Sequence, residues 1–182
     1  SRISGFPVSP EELLIHLHLT RGPNNVDMIK ECAQWIGMMF DDPSKGLLKT
    51  EILFPALVAL VQTSPLPLLF FRTLILATTH LKAMESYVLT ILSRPELMDN
   101  KVWSDPRHRL GFANTCEKLL PLSAPLILNL PTEKFEAIIS QKPTIKEALK
   151  QRMLAGQAIP FDKQAFFKES TSNEPSTATT AP

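Results

Sequence analysis

The side chains most able to do chemistry in this sequence are its four histidines and two cysteines. His16 and His18 stand two residues apart on a predicted helix, so their rings diverge and cannot ligate one metal ion together. We expect surface or edge positions for both. His80 follows two threonines near a predicted helix end, where interaction with the helix dipole is the expected role. Cys32 and Cys116 show no C-x-x-C spacing, which predicts small core residues rather than metal ligands or nucleophiles.

Catalytic signatures are absent from the sequence. It contains no glycine-rich phosphate loop, no His-Glu-x-x-His and no Gly-x-Ser-x-Gly. Its carboxylates at Asp41, Asp42, Asp99 and Asp105 stand at predicted helix ends, where capping is favoured over acid–base work. We therefore expect a protein that is not an enzyme and that uses no cofactor, metal ion or small-molecule substrate.

Charged and aromatic residues within apolar segments are the candidates for binding a partner. Arg72 is the lone charge of an apolar helix, so its guanidinium either bonds a helix-end carbonyl or a carboxylate, or extends toward a partner. Trp103 suits a core position and an interface anchor equally well. The run Pro106-Arg107-His108-Arg109 is either a small basic patch or a solvated helix start.

Prolines mark the starts of the helices that would position these residues. The chain has 16 prolines and 6 glycines, and proline is tolerated in the first helical turn but not in the interior. Ser9-Pro10-Glu11-Glu12 predicts a capping box, and Thr144-Ile145-Lys146-Glu147 predicts a second one in a helix that ends at Gly156. The predicted helices cover about 10–19, 29–41, 50–61, 68–80, 82–93, 106–119, 123–128, 132–140 and 144–155.

The fold class predicted from these elements is all-α. No stretch alternates apolar and polar residues, and no Asn-Gly or Asp-Gly pair joins two β-branched runs. Helix pairs start near residues 10, 49, 82 and 123, a spacing of roughly 40 residues that is typical of HEAT-type repeats. We expect a HEAT-like, α-solenoid stack of antiparallel helix pairs without a sheet.

Composition divides the chain into three predicted parts. Residues 9–165 are predicted to form a single helical scaffold domain, preceded by an N-terminal extension over 1–8. Residues 166–182 consist largely of Ser, Thr, Ala and Pro and cannot offset the entropy of ordering, so a disordered tail is expected there. The apolar runs are shorter than the roughly 18 residues of a membrane helix, so no membrane association is predicted.

The charge balance excludes a protein that attracts nucleic acid over its whole surface. Formal net charge is +1, from 19 Lys and Arg against 18 Asp and Glu. Any RNA contact must therefore be local, at Arg107, His108 and Arg109 or at the basic helix near the end of the chain. The cysteine pattern fits a reducing compartment, either the cytosol or the nucleus.

Collinear short motifs link the sequence to a known family. The segments are Pro10-Glu11-Glu12-Leu13-Leu14, Ser64-Pro65-Leu66-Pro67, Arg72-Thr73, Lys101-Val102-Trp103, Gly111-Phe112 and Leu128 to Pro131. In their order, from about Ser9 to Phe161, the chain resembles the symplekin C-terminal domain family, with Arg109-Leu110 where the family tends to carry a second Val-Trp.

The resemblance implies a nuclear scaffold of pre-mRNA 3′-end processing. Such proteins dock the C-terminal domains of the metallo-β-lactamase-type endonuclease and of its inactive paralogue, so zinc and nuclease activity would belong to the partner. The alternative is a helical module that binds RNA directly through the local basic patch. The candidate partner-binding residues are Arg72, Trp103, Arg107, Arg109 and Phe112.

Overall fold

The computed structural model describes residues 8–20, 25–41, 46–98 and 100–167, and within these ranges the regular secondary structure is helical, without a strand. This confirms the all-α fold class. The helices are α1 (Pro10–Leu19), α2 (Asn25–Asp41), α3 (Thr50–Val61), α4 (Phe70–His80), α5 (Met84–Leu92), α6 (Pro95–Met98), α7 (Asn100–Trp103), α8 (Pro106–Lys118), α9 (Ala124–Leu128), α10 (Thr132–Gln141), α11 (Pro143–Leu154) and α12 (Phe161–Gln164), followed by a 3₁₀ turn at Ala165–Phe167.

The long predicted helices are present, with ends that differ by a few residues. Helices α6, α7 and α12 were not predicted, because four residues make barely one turn and show no 3.6-residue periodicity. The expected extension over 1–8 and tail over 166–182 fall mainly outside the described residues. The HEAT-like stacking and the domain boundaries stay predictions.

The capping box predicted at the start of α1 is confirmed. The backbone N–H of Glu12 donates to Ser9 Oγ at 3.1 Å, and the Ser9 N–H donates to Glu12 Oε2 at 2.8 Å. Pro10 occupies the first turn, where its missing N–H costs nothing. These two bonds satisfy amide groups that the helix itself cannot, so α1 begins at a defined residue.

The second predicted capping box, at Thr144 and Glu147, is wrong. Helix α11 begins one residue earlier at Pro143, and its N-cap, Lys142, makes no side-chain hydrogen bond to the helix. The Thr144 hydroxyl donates instead to the Glu117 carboxylate on α8. Thr144 thus bonds a residue of another helix and does not cap the start of α11.

The end of α11 agrees with its sequence signal. Gly156 has a φ of +78°, a conformation that residues with a Cβ rarely adopt. Its N–H donates to the Met153 carbonyl at 3.0 Å, and the Gln157 N–H donates to the Arg152 carbonyl at 3.0 Å. These bonds form the Schellman arrangement that ends a helix by occupying its last free carbonyls.

Helix α4 lies at the centre of the first half of the structure and contacts α2, α3, α5 and α8. Its Phe70, Leu74 and Ala77 are fully buried, as are Leu57 of α3 and Val88 of α5. A helix surrounded on several sides needs apolar residues around most of its circumference, which explains the composition of this segment. Within that apolar surface Arg72 points outward and is exposed.

The second half is organised around α8, which contacts α4, α7 and α10. Phe135 of α10 is fully buried, and the rings of Phe166 and Phe167 lie 5.5 and 6.1 Å from it, centroid to centroid. Lys163 is also buried, with Nζ 5.6 Å from the Phe135 ring centroid and 3.1 Å from Asp162 Oδ2. The end of the described chain therefore packs onto α10.

The cysteines are core residues, as predicted, but one histidine departs from expectation. Cys32 and Cys116 are buried, and burial raises the pKa of the Cys116 thiol, which keeps it protonated and unreactive. His80 ends α4 and lies against the Phe40 ring at 5.7 Å. His16 is exposed, whereas His18 is buried rather than at a surface or edge.

His18 connects α1 to α4 through two hydrogen bonds. Its Nδ1–H donates to the Leu14 carbonyl at 2.8 Å, so Nε2 accepts from the Thr73 hydroxyl at 2.8 Å. Burial lowers the pKa of His18 below its ordinary 6.5, because desolvation disfavours the imidazolium. The neutral ring that burial favours can make both bonds, with Nδ1 as the donor and Nε2 as the acceptor.

We expect the free energy of unfolding to fall as pH is lowered through about 6.5, because the unfolded chain then binds a proton that buried His18 resists. His18→Gln should flatten this dependence between pH of about 7.5 and about 5.5. Urea unfolding at several pH values measures the slope, and exposed His16→Gln on the same helix is the matched control. An unchanged slope in His18→Gln would contradict the assignment.

Candidate functional site

A close approach of α4 and α8 is the feature from which the candidate site is built. Gly111 of α8 faces Phe71 of α4, and a Cβ at position 111 would lie 2.7 Å from the Phe71 Cβ. Only glycine leaves room for Phe71 to rest on the α8 backbone. The Phe71 ring is edge-on to Phe70 at 5.3 Å and to Phe112 at 6.2 Å, so the contact continues into the core.

Above this contact lies a surface groove of about 370 Å³ between the outer faces of α4 and α8. Leu68 and Leu110 are 39% and 46% exposed, so the groove leaves large apolar side chains in solvent. The lining residues recur at three- and four-residue spacing on both helices, which makes the groove run between two helix faces. They are Leu68 in the turn before α4, Phe71, Arg72, Ile75 and Leu76 along α4, and Arg107, Leu110, Gly111 and Asn114 along α8.

Two guanidinium groups border the groove, and none of its lining residues is acidic. The Arg72 side chain is exposed and makes no hydrogen bond or ion pair with any residue that the structure describes. Arg107 is also exposed, but its Nη2 lies 2.7 Å from Asp105 Oδ2. Arg72 is therefore the uncompensated positive charge of the groove, whereas the charge of Arg107 is balanced by Asp105.

Asp105 fixes the position of Arg107. Its carboxylate accepts the Arg107 backbone N–H at 2.8 Å as the N-cap of α8, and it also accepts from Nε at 3.1 Å. The bonds to Arg107 lower the pKa of Asp105 to about 2, so the carboxylate remains ionised at any physiological pH. Arg107 is thereby oriented, and 71% of its side chain remains exposed to solvent.

The other candidate residues lie beneath or beside this surface. Phe112 is fully buried and Trp103 is half-buried, with ring centroids 5.6 Å apart. Lys134 of α10 places its Nζ 5.2 Å from the Trp103 ring centroid and donates to the Met98 carbonyl, which joins α6, α7 and α10. Arg109 is half-buried, and its Nε has no hydrogen bond among the described residues. Of the five candidates, the groove brings together Arg72 and Arg107.

The basic run predicted as an alternative RNA contact is not a continuous exposed patch. Arg107 is exposed, His108 is buried and Arg109 is half-buried. Near the basic helix α11, Lys142 is engaged with Glu117, their charged atoms 2.8 Å apart. Bonds from Lys142 and Thr144 lower the pKa of Glu117, so this ion pair joins α8 to the α10–α11 junction.

Two exposed apolar features were missed from the sequence. On α2, Trp35 and Met38 are 60% and 59% exposed. The apolar stripe of this helix, from Ile29 to Phe40, leaves both residues on the opposite side, so the signal was present in the sequence. A second depression, of about 450 Å³, is lined by Met98, Leu122, Leu126 and neighbours and contains no charged side chain.

The part of the chain that the structure covers contains no group of side chains able to bind a metal ion. Among the described residues no three His, Cys, Asp or Glu side chains form a group able to hold a metal ion. Within the same ranges, no helix has the length and apolar character needed to cross a membrane.

Comparison with protein families decides the assignment. The family model described as symplekin tight junction protein C terminal matches residues 2–142, which is more than half of the chain. The chain belongs to the symplekin C-terminal family. Membership in the symplekin family indicates a scaffold role in mRNA 3′-end processing and leaves the docked subunits unspecified. No solved structure shows a significant match to the chain.

Proposed function

We propose that this chain is a nuclear, non-catalytic scaffold segment of the cleavage and polyadenylation machinery. It docks the C-terminal domains of the metallo-β-lactamase-type endonuclease and of its inactive paralogue. The family match over residues 2–142 carries this proposal. The exposed apolar surface between α4 and α8 supports it, since such grooves on helical proteins commonly receive segments of other proteins.

The surface chemistry favours a protein partner over RNA. RNA affinity depends on several cations that contact phosphates together, and the basic run at residues 107–109 presents one exposed guanidinium that is already paired with Asp105. Exposed Leu68 and Leu110 instead match the apolar centre of a protein interface, with arginine at its edge. Nuclear location follows from the proposed role in mRNA processing.

Reconstitution with purified proteins tests the proposal. The full chain is mixed with the heterodimer of the endonuclease and its paralogue, and complex formation is followed by size-exclusion chromatography and calorimetry. We expect co-elution and a dissociation constant of about 1 μM or tighter. The heterodimer without its C-terminal domains is the matched control and should not bind.

Two outcomes would contradict the proposed function. The first is failure of a chain that is helical by circular dichroism to bind the intact heterodimer. The second is binding of single-stranded RNA that is tighter than heterodimer binding and weakens steeply when salt rises from about 50 to about 200 mM, which would favour the RNA alternative.

A further inference from the structure

We propose that the α4–α8 groove receives an amphipathic helix of a partner protein that presents apolar side chains in its centre and carboxylates on its flanks. The partner's identity rests on the proposed function, whereas its chemistry rests on the groove. Three properties of the lining define the occupant: its floor is apolar, its side chains are spaced as on helix faces, and the Arg72 guanidinium has no carboxylate beside it in the lining.

The apolar floor calls for apolar side chains from the partner. Leu68 and Leu110 are 39% and 46% exposed, and Ile75 and Leu76 beside them are half-buried. These side chains lie together in one groove rather than scattered singly over the surface. Covering them would remove apolar area from water, which is the main driving force for association.

The shape of the groove favours a helix as the occupant. One row of lining residues follows one face of α4 and the turn before it, at positions 68, 72 and 75/76. A second row follows one face of α8, at positions 107, 110/111 and 114. Side chains of a third helix with a 3.6-residue period can lie between these rows, as in other helix-in-groove complexes. Gly111 keeps the floor low, because no side chain rises from the centre of α8.

The charges select an acidic occupant. Arg72 on the α4 side has no partner among the described residues, and a guanidinium accepts a carboxylate in two parallel hydrogen bonds. Arg107 on the α8 side is paired with Asp105, which balances its charge and fixes its position at the edge of the groove, with 71% of its side chain exposed. A partner helix with a lysine next to Arg72 would meet a like charge, so Arg72 also disfavours basic segments.

Other apolar surfaces carry less information about an occupant. Helix α2, which carries the exposed Trp35 and Met38, is flanked in the sequence by residues 21–24 and 42–45, which lie outside the described ranges. The depression at Leu122 and Leu126 has no charged lining residue that would distinguish one partner from another.

Synthetic helical peptides of about 15 residues test the proposal independently of the natural partner. The first has leucines at i, i+3 and i+7 flanked by glutamates, the second replaces the glutamates by lysines, and the third replaces the leucines by serines. Fluorescence anisotropy with the full chain should show binding of the first peptide, at least about tenfold tighter than either of the others. Its affinity should fall severalfold when salt is raised from about 50 to about 200 mM.

Variants of the chain locate the binding to the groove. Arg72→Glu and Leu110→Glu should each weaken the glutamate peptide by about tenfold or more. Lys146→Glu makes the same charge reversal as Arg72→Glu at an exposed position of α11 outside the groove, and it should leave the affinity unchanged. Arg72→Glu should gain affinity for the lysine peptide, a result that an unfolded variant cannot produce.

The inference is overturned if the glutamate and lysine peptides bind alike, or if Arg72→Glu and Lys146→Glu have the same effect. Binding of single-stranded oligouridylate that Arg72→Glu abolishes, without binding of the glutamate peptide, would make the groove a nucleic-acid site instead. The two proposals remain separable. If the peptide binds but the heterodimer does not, the proposed partner is wrong and the groove proposal still holds. If the heterodimer binds equally well to the Leu110→Glu variant, the groove proposal is wrong and the proposed partner still holds.

Discussion

Replacing Phe112 with alanine is expected to lower the free energy of unfolding by about 3–5 kcal/mol. The ring is fully buried between Phe71 of α4, at 6.2 Å, and Trp103 of α7, at 5.6 Å. Its removal leaves a cavity at the junction of the two halves of the structure, which the flanking rings cannot fill without shifting. Urea unfolding followed by circular dichroism gives the difference.

The control for this prediction is Phe161→Ala. The Phe161 side chain is 89% exposed, so its loss should change the free energy of unfolding by no more than about 0.5 kcal/mol. If Phe112→Ala costs as little as Phe161→Ala, the α4–α7–α8 junction is not packed as described.

Alanine at position 111 is the second large effect that we expect. Its Cβ would lie 2.7 Å from the Phe71 Cβ and 2.8 Å from Cγ of the ring, so one of the two helices must move. Overpacking of this kind costs about 1–3 kcal/mol. The better helix propensity of alanine offsets roughly 1 kcal/mol of that cost at most. We therefore expect a less stable protein, measured by the shift in the urea midpoint.

The matched control is the same substitution at Gly37, within α2. A Cβ there meets no atom within 4 Å, so the substitution changes stability only through the higher helix propensity of alanine. Gly37→Ala should raise the free energy of unfolding by about 0.5–1 kcal/mol, opposite in sign to Gly111→Ala. Equal effects at both glycines would show that the contact with Phe71 does not limit position 111.

Local signals were sufficient to predict the helices whose determinants lie within a few residues of each other. Ser9 and Glu12 satisfy each other across one turn, and Gly156 ends α11 through its own backbone conformation. The same reasoning failed at Thr144, because its hydroxyl bonds Glu117, 27 residues earlier in the chain. No pattern within α11 contains that information.

The candidate site was predictable only in part for a similar reason. A lone arginine in an apolar helix identified Arg72, but the groove beside it exists because Gly111 admits Phe71 from a distant segment. His18 is buried by its bond to Thr73, 55 residues away, which overrides the expectation of a surface position. Trp103 stands in a four-residue helix, too short for its sequence to show which side faces the core.

The packing of the chain's end against α10 bears on how this protein can be divided. The family match ends at residue 142, yet Phe135 within it is covered by Phe166 and Phe167, which lie beyond that limit. A fragment cut at the family boundary would lose these rings together with Lys163, and would leave the Phe135 ring facing solvent. The family match therefore ends before residues that pack on Phe135, and we expect a fragment made for binding or crystallisation to need the chain at least through residue 167.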